Sequence, residues 1–301
     1  MNLNPLQCPK DILRRLAFDA GACAVGFARA AQVDDATVQY FRSWLAAGCH
    51  GDMAYMARYE DIRLDPRLLL DGAKTIVSLA FSYSQPDGYH HPFIADYALG
   101  CDYHEVLHRR LQPLADALTE WGATARVCVD SAPILERYWA VRAGVGFVGC
   151  NRQLIVPSVG STVFLAEIIT TFDFEPDSPC ELECGDCGKC RTVCPCGALN
   201  AKSGFDARRC VSYLTIEHRG EIPADTDLGP WAYGCDACQR VCTHNVDPPV
   251  SPIAEFVRDE NIASLDKVSL AAMSGNAFRR LTQRSAIKRL TLKQLKRNLS
   301  L

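Results

Sequence analysis

The sequence lacks any apolar run approaching the roughly 20 residues that a membrane-spanning helix needs, so we expect no membrane association. Its first 21 residues also lack the apolar core of a secretory signal, which predicts a cytoplasmic protein. No P-loop is present, and no G-x-G-x-x-G follows a predicted strand. The D-x-H-x-x-G pattern of one class of cobalamin sites is missing, because Asp102-Tyr103-His104 has the wrong spacing.

Acidic residues are absent from the C-terminal segment 276–301, which carries eight cations: Arg279, Arg280, Arg284, Lys288, Arg289, Lys293, Lys296 and Arg297. All 35 acidic residues and the other 24 cations of the chain precede it, so the body has a net charge of −11. A basic tail on an acidic body indicates either an anionic partner or a solvated helix that packs on that body. Charge alone leaves both interpretations open.

Composition is that of an ordinary globular protein. The 301 residues are 48% hydrophobic and 22% charged, enough for one large domain or two smaller ones. What stands out is the 16 cysteines, which in a protein without an export signal indicate metal binding in a reducing compartment. Half of them are scattered, and most of these we interpret as small core residues.

The other eight cysteines form two sets. The first reads C-x2-C-x2-C-x3-C-P, and it is followed by a single cysteine and then C-x2-C-x3-C. In ferredoxins with two clusters, the fourth cysteine of such a run binds the other cluster. We therefore expect two [4Fe-4S] clusters, one held by Cys184, Cys187, Cys190 and Cys242 and the other by Cys194, Cys210, Cys235 and Cys238. Structural zinc is the alternative, although zinc ribbons usually separate their pairs more widely.

The fold class that we predict is α+β, in three parts. Residues 1–175 read as an α/β domain, 176–250 as a ferredoxin-like two-cluster domain, and 251–301 as a basic helical segment. Proline-rich stretches at 176–179 and 246–252 mark the two boundaries. Apolar spacing predicts helices at 12–20, 38–47, 103–120 and 134–143, and strands at 75–82, 125–129 and 164–171.

Several blocks of the sequence resemble the epoxyqueuosine reductase family. They are DSAPILER (130–137), AGVGFVGCN (143–151), DARRCVSYLTIE (206–217), YGCDACQ (233–239) and the tail SAIKR (285–289) with Arg297-Asn298. The resemblance extends over nearly the whole chain. It implies that the N-terminal domain binds cobalamin, which is reduced through the two clusters by an external low-potential electron donor. It also implies that the protein removes the epoxide oxygen of epoxyqueuosine at the wobble position of certain tRNAs, which completes queuosine synthesis.

The resemblance also suggests roles for individual residues. It places the proton donor at Asp130, which on the residues alone we would sooner interpret as a helix N-cap, because Pro133 suits the first turn of a helix. Cobalamin contacts are expected from Arg58, Asp130, Asn151, Ser161 and Ser212, and nucleoside contacts from Tyr103, His104, Arg137 and Arg219. The basic tail then has tRNA phosphates as its partner. We expect a monomer.

The chain departs from the family pattern at four places. Cys150 replaces a common lysine, Cys196 adds a thiol directly after Cys194-Pro195, His244 falls where the family usually has tryptophan, and the chain stops at Leu301, before the helical-repeat domain of many members. Two other classes stay open on the sequence. One is another corrinoid and iron–sulfur reductase of the dehalogenase type, and the other is a non-catalytic ferredoxin, which would not need 170 residues of α/β domain.

Overall fold

The computed structural model describes residues 8–199 and 204–300. In chain order the helices are α1 (Pro9–Asp19), α2 (Asp35–Ala46), α3 (Tyr55–Arg58), α4 (Glu60–Leu64), α5 (Tyr103–Glu120), α6 (Glu136–Arg142), α7 (Lys189–Thr192), α8 (Val211–Ile216), α9 (Ala237–Arg240), α10 (Glu260–Ala263), α11 (Lys267–Ala272), α12 (Gly275–Thr282) and α13 (Leu292–Asn298). The strands are β1 (Ala24–Arg29), β2 (Thr75–Ser82), β3 (Ala125–Cys128), β4 (Phe147–Val148), β5 (Leu154–Ile155) and β6 (Val163–Thr170). None of these helices is both long and apolar enough to cross a membrane.

The central sheet has the strand order β1-β2-β6-β3, and every neighbouring pair in it is antiparallel. The predicted α+β class is correct for the chain. The expectation of an α/β first domain is wrong in its strand direction, since α/β domains are built on parallel sheets. The strand direction was predicted wrongly because helices cover both faces of this sheet, which leaves β2 buried along its whole length. A strand buried on both faces reads as a continuous apolar run, whichever way its neighbours point.

Two cores lie on opposite faces of the sheet. Helices α1 and α5 pack on one face through residues such as Leu13, Leu107 and Leu111. Helices α2 and α6 pack on the other face through Phe41 and Trp139. The functional site is built where α5 and α6 meet the ends of the strands.

Strand β1 was not predicted, because its sequence AVGFAR contains a single β-branched residue. Its Gly26 lies against the end of α6. A Cβ at Gly26 would come within 1.9 Å of the carbonyl oxygen of Ala143, so only glycine allows this close approach. Strand β2 and helix α5 have the predicted bounds, and α5 continues through Pro113.

The basic tail packs on the body as part of a third core. Phe278, Ile287 and Leu295 of the tail are buried together with Leu99 and Tyr233. The side-chain amide of Asn298 donates to the carbonyl oxygens of Thr215 (2.9 Å) and Ala232 (2.7 Å). The tail is therefore joined to the cysteine-rich region by its last residues.

Candidate active site

The carboxylate of Asp130 is the centre of the site. Asp130 follows β3 by two residues and has a φ of 53°, a left-handed conformation that non-glycine residues seldom adopt. Helix α6 begins only at Glu136, with Leu135 as its N-cap residue. The helix-cap interpretation of Asp130 is therefore wrong, and so is the prediction that this helix starts beside Pro133. Instead, Asp130 lies in a loop, and its side chain turns towards α5.

Two residues at the start of α5 hold the Asp130 carboxylate. Its Oδ2 accepts a hydrogen bond from the Tyr103 hydroxyl at 2.9 Å and lies 3.1 Å from His104 Nε2. The ring of Tyr103 stacks between Phe164 and His104, with centroids 4.3 and 4.1 Å away. The Asp130 side chain is nevertheless 47% exposed, so solvent reaches the carboxylate. The structure thus brings together three of the predicted site residues.

A second carboxylate fixes the orientation of His104. Asp102 caps α5, and its Oδ1 lies 2.7 Å from His104 Nδ1. The other oxygen of Asp102 pairs with Lys288 Nζ of the tail at 2.9 Å. Burial opposes a charged imidazole, but the hydrogen bonds and charges of Asp102 and Asp130 outweigh it and raise the pKa of His104 to about 9. His104 is therefore an imidazolium at neutral pH.

Asp130 itself is ionised in this arrangement. Burial alone would raise the pKa of Asp130, but the hydrogen bond and charge of His104 and the hydrogen bond from Tyr103 outweigh it and lower the pKa. The residue at which the family resemblance places the proton donor is thus deprotonated at rest. The proton of this pair lies on His104, whose Nε2 is 3.1 Å from Asp130 Oδ2.

Three residues that the sequence analysis did not place beside Asp130 belong to the same site. Glu136 Oε1 accepts a hydrogen bond from the backbone amide of Asp130 at 2.7 Å. Arg289, assigned from the sequence to tRNA phosphates, forms an ion pair with Glu217 at 2.7 Å and interacts electrostatically with Asp130. The buried Arg63 interacts electrostatically with Asp130 and Glu136. Glu136 and Arg289 lie within the blocks that carry the family resemblance, so those blocks were the available signal.

The predicted cobalamin contacts fall in different surroundings. Asn151 is 4% exposed, and its amide nitrogen has no hydrogen-bond partner among the described residues; the same holds for Nε of the buried Arg63. Buried donors without acceptors suit a ligand rich in carbonyl groups, such as the amide side chains of a corrin, so these residues fit the group. Ser161 differs, because its amide and hydroxyl already bond Asn245. Arg58 is exposed and Ser212 half-buried.

The other predicted nucleoside contacts lie farther from the carboxylate. Arg137 is exposed and donates to the carbonyl oxygen of Arg152 at 2.9 Å. Arg219 is exposed and lies beside Arg297 of the tail. No described hydrogen bond joins either arginine to Asp130, so the structure does not bring them into the central group.

The predicted cluster ligands fall into two neighbourhoods. Burial raises the pKa of Cys235 to about 12, and the nearby charges of Cys210 and Cys194 add to that effect. Cys238 interacts with the same three thiols. Cys190 instead interacts with Cys184 and Cys187. These groups match the two predicted sets, except that no described contact connects Cys242 to either. Among the described residues, no three His, Cys, Asp or Glu side chains converge as ligands of one metal ion.

Cys150 and Cys196, the two cysteines that depart from the family pattern, lie beside predicted cluster ligands. Cys150 Sγ lies 3.3 Å from Asp186 Oδ1, and its thiol also interacts with Cys184. Cys196 Sγ lies 3.1 Å from the carbonyl oxygen of Asp227. The Cys196 thiol therefore has a backbone acceptor close by.

A separate cavity of about 290 Å³ opens between the loop after β2 and the last cysteine set. Tyr83, Tyr89, His90 and Gln239 contribute to its walls. None of the predicted substrate or cobalamin contacts lines it, and we assign no reaction to it.

Two segments of the chain match known protein families. The family described as "Epoxyqueuosine reductase QueG, DUF1730" matches residues 63–131, and the family described as "4Fe-4S double cluster binding domain" matches residues 183–245. The first match includes Asp102, Tyr103, His104 and Asp130. The second contains all eight predicted ligands, and the chain therefore has a double-cluster domain. The features together define an iron–sulfur oxidoreductase.

Relatives identify the family. The epoxyqueuosine reductase of Cellulophaga algicola is 34% identical over 307 residues, which cover 99% of each chain. A crystal structure of an epoxyqueuosine reductase with an epoxyqueuosine-modified tRNA stem loop has a TM-score of 0.87 at 31% identity, covering 96% of this chain and 79% of that one. The Bacillus subtilis enzyme, captured with an aspartate-bearing catalytic loop swung out of its active site, has a TM-score of 0.85 at 31% identity, with the same coverage. This chain belongs to the epoxyqueuosine reductase family.

A reductive dehalogenase shows a similar fold at a greater distance. It is 16% identical, with a TM-score of 0.50, and this chain covers 38% of it. At that identity the likeness concerns the fold alone.

Proposed function

We propose that this protein reduces epoxyqueuosine to queuosine at the wobble position of tRNA. Family membership along the whole chain and the double-cluster domain support this activity. The observation that carries it is the exposed Asp130 carboxylate, which Tyr103 and His104 hold in place. A protonated imidazole behind an exposed carboxylate is suited to protonating an oxygen atom that leaves a carbon.

The balance of the reaction defines what the protein supplies. Converting an epoxide to an alkene breaks both C–O bonds and releases the oxygen as water. Two electrons and two protons are consumed. An external low-potential donor provides the electrons, and the side chains around Asp130 control the protons.

The electron path follows from the cysteine sets. We assign Cys184, Cys187, Cys190 and Cys242 to one [4Fe-4S] cluster and Cys194, Cys210, Cys235 and Cys238 to the other. Cobalamin, when bound, supplies the reduced metal centre that delivers electrons to the substrate. Asn151 and Arg63 offer it their unpartnered buried donors, and Arg58, Ser161 and Ser212 remain candidate contacts.

Proton delivery uses the Asp102–His104–Asp130 series. Asp102 keeps the imidazole in place through Nδ1, which leaves Nε2 directed at Asp130. A proton passes from Nε2 to Oδ2 and from there to the departing oxygen. The Tyr103 hydroxyl keeps the carboxylate oriented during this transfer. Because Asp130 is ionised at rest, it accepts the proton only as it is needed.

Substrate recognition involves tRNA. Tyr103, His104, Arg137 and Arg219 are our candidates for the nucleoside and its neighbours. Exposed cations of the tail are candidates for phosphates, which provide most of the affinity of nucleic-acid complexes. Lys288 and Arg289 are engaged by body acids instead.

Anaerobic reconstitution with iron, sulfide and cobalamin tests the proposal. We expect about eight iron and eight sulfide per chain. We also expect conversion of epoxyqueuosine to queuosine in tRNA, measured by mass spectrometry of nucleosides. Stoichiometric zinc in protein purified without oxygen would contradict the cluster assignment. Intact clusters without conversion of modified tRNA would favour the electron-carrier alternative.

A further inference from the structure

The loop that carries Asp130 has few internal restraints. It joins β3 to α6, and its second residue, Asp130, is in the left-handed region. Helix α6 has no side-chain cap at its N-terminus. Within the loop, the backbone bonds are Ser131 N to Val129 O and Ile134 N to Ala132 O, each spanning two residues. Such short-range bonds do not connect the loop to the rest of the protein.

Two contacts anchor Asp130 from outside the loop. One runs through its side chain, from Oδ2 to Tyr103 and His104 on α5. The other runs through its backbone, from the amide to Glu136 Oε1 at 2.7 Å. In the proposed reaction Oδ2 passes its proton to the substrate, so the first anchor involves the reacting group itself. The second anchor does not involve the side chain of Asp130.

We propose that Glu136 is a positioning residue, which holds the catalytic loop over the site by accepting a hydrogen bond from the Asp130 amide. This rests on the proposed role of Asp130. Glu136 itself does not touch the substrate in this scheme. It is the first residue of α6, and α6 packs on β2 and β6, so a rigid element carries the acceptor.

The protonation state of Glu136 agrees with this role. Burial raises the pKa of Glu136 to about 8, and the charge of Asp130 adds to the effect. A neutral carboxyl group accepts the amide hydrogen bond through its carbonyl oxygen without placing a second negative charge beside Asp130. Glutamine has the same shape and the same acceptor, so it should replace Glu136 with little loss.

The test compares three variants of the reconstituted enzyme. Glu136→Gln keeps the acceptor. Glu136→Met removes it while filling nearly the same volume, which avoids a cavity. Glu120→Ala, at the exposed end of α5, controls for removal of a glutamate. Each is measured for hydrogen exchange in 129–135 without substrate, and for kcat and KM on epoxyqueuosine-modified tRNA.

We expect Glu136→Met to exchange the loop amides about tenfold faster and to lower kcat by about tenfold, as for one lost hydrogen bond of ordinary strength, with KM and iron content unchanged. Glu136→Gln and Glu120→Ala should stay within about twofold of the parent in both measurements. Unchanged exchange in Glu136→Met would overturn the proposal, and so would a Gln variant as slow as the Met variant. Absence of turnover in the parent enzyme would refute the proposed function, while the exchange data would still decide the role of Glu136.

Discussion

Replacing Asp130 by asparagine tests the proton path directly. Asparagine keeps the size of the side chain and an oxygen that can accept the hydrogen bond from the Tyr103 hydroxyl. In the parent protein that hydroxyl lies 2.9 Å from Asp130 Oδ2. What it loses is the negative charge and the ability to receive a proton from His104. Clusters, cobalamin and tRNA binding should therefore be retained.

We expect turnover of Asp130→Asn to fall by about 10²-fold or more, the usual contribution of a general acid. The substitution also removes one of the two carboxylates beside His104. Loss of a neighbouring charge shifts a pKa by about one unit or more, so the pKa of His104 should fall from about 9 towards its ordinary value.

Two assays check these numbers. Single-turnover conversion of epoxyqueuosine-modified tRNA, followed by nucleoside mass spectrometry, gives the rate. Deuterium exchange at the imidazole C2 position across a pH series gives the pKa of His104. Near-normal turnover with intact clusters would refute the assignment of Asp130, and an unchanged His104 pKa would refute the electrostatic coupling between the two residues.

Three further outcomes are expected. Because the pKa of His104 is raised from 6.5 to about 9, its charge stabilises the fold below pH 6.5, and that contribution is lost as the pH rises to about 9. The difference in the free energy of unfolding between the parent and His104→Gln should therefore narrow over this range by about 2 kcal/mol, allowing for the partial exposure of His104. A constant difference would contradict this sign. Cys187→Ser and Cys238→Ser should each halve the iron content by removing a different cluster, and loss of all iron in either variant would show that the clusters are interdependent. Replacing the exposed Arg280 and Lys293 by alanine should reduce the salt dependence of tRNA binding by about 1.5 units of slope, at 0.7–0.9 per contact, and an unchanged slope would make the tail purely structural.

The tail shows that a charge pattern predicts ionic partners without identifying them. The sequence assigned its cations to an anionic partner or to the acidic body, and the structure shows the second use in detail. Lys288 pairs with Asp102 and Glu105, and Arg289 pairs with Glu217. Substituting Lys288 or Arg289 would therefore disturb the site as well as any phosphate contact. A charge run cannot reveal its partners, because they lie about 70 to 190 residues away along the chain.

Local chemistry allowed the sequence by itself to determine the cysteine sets, the four longest helices of residues 1–175 and three of the four strands of the central sheet. The role of Asp130 came from the family resemblance of its motif. Ligand spacing and apolar periodicity act over a few residues, so they can be read without a fold. Tertiary structure alone decided the antiparallel sheet, the helix start at Glu136 and the grouping of Asp102, His104 and Asp130 with the tail. It also decided where the proton resides, because the pKa values of His104 and Asp130 depend on burial and on charges that only folding brings within hydrogen-bond distance.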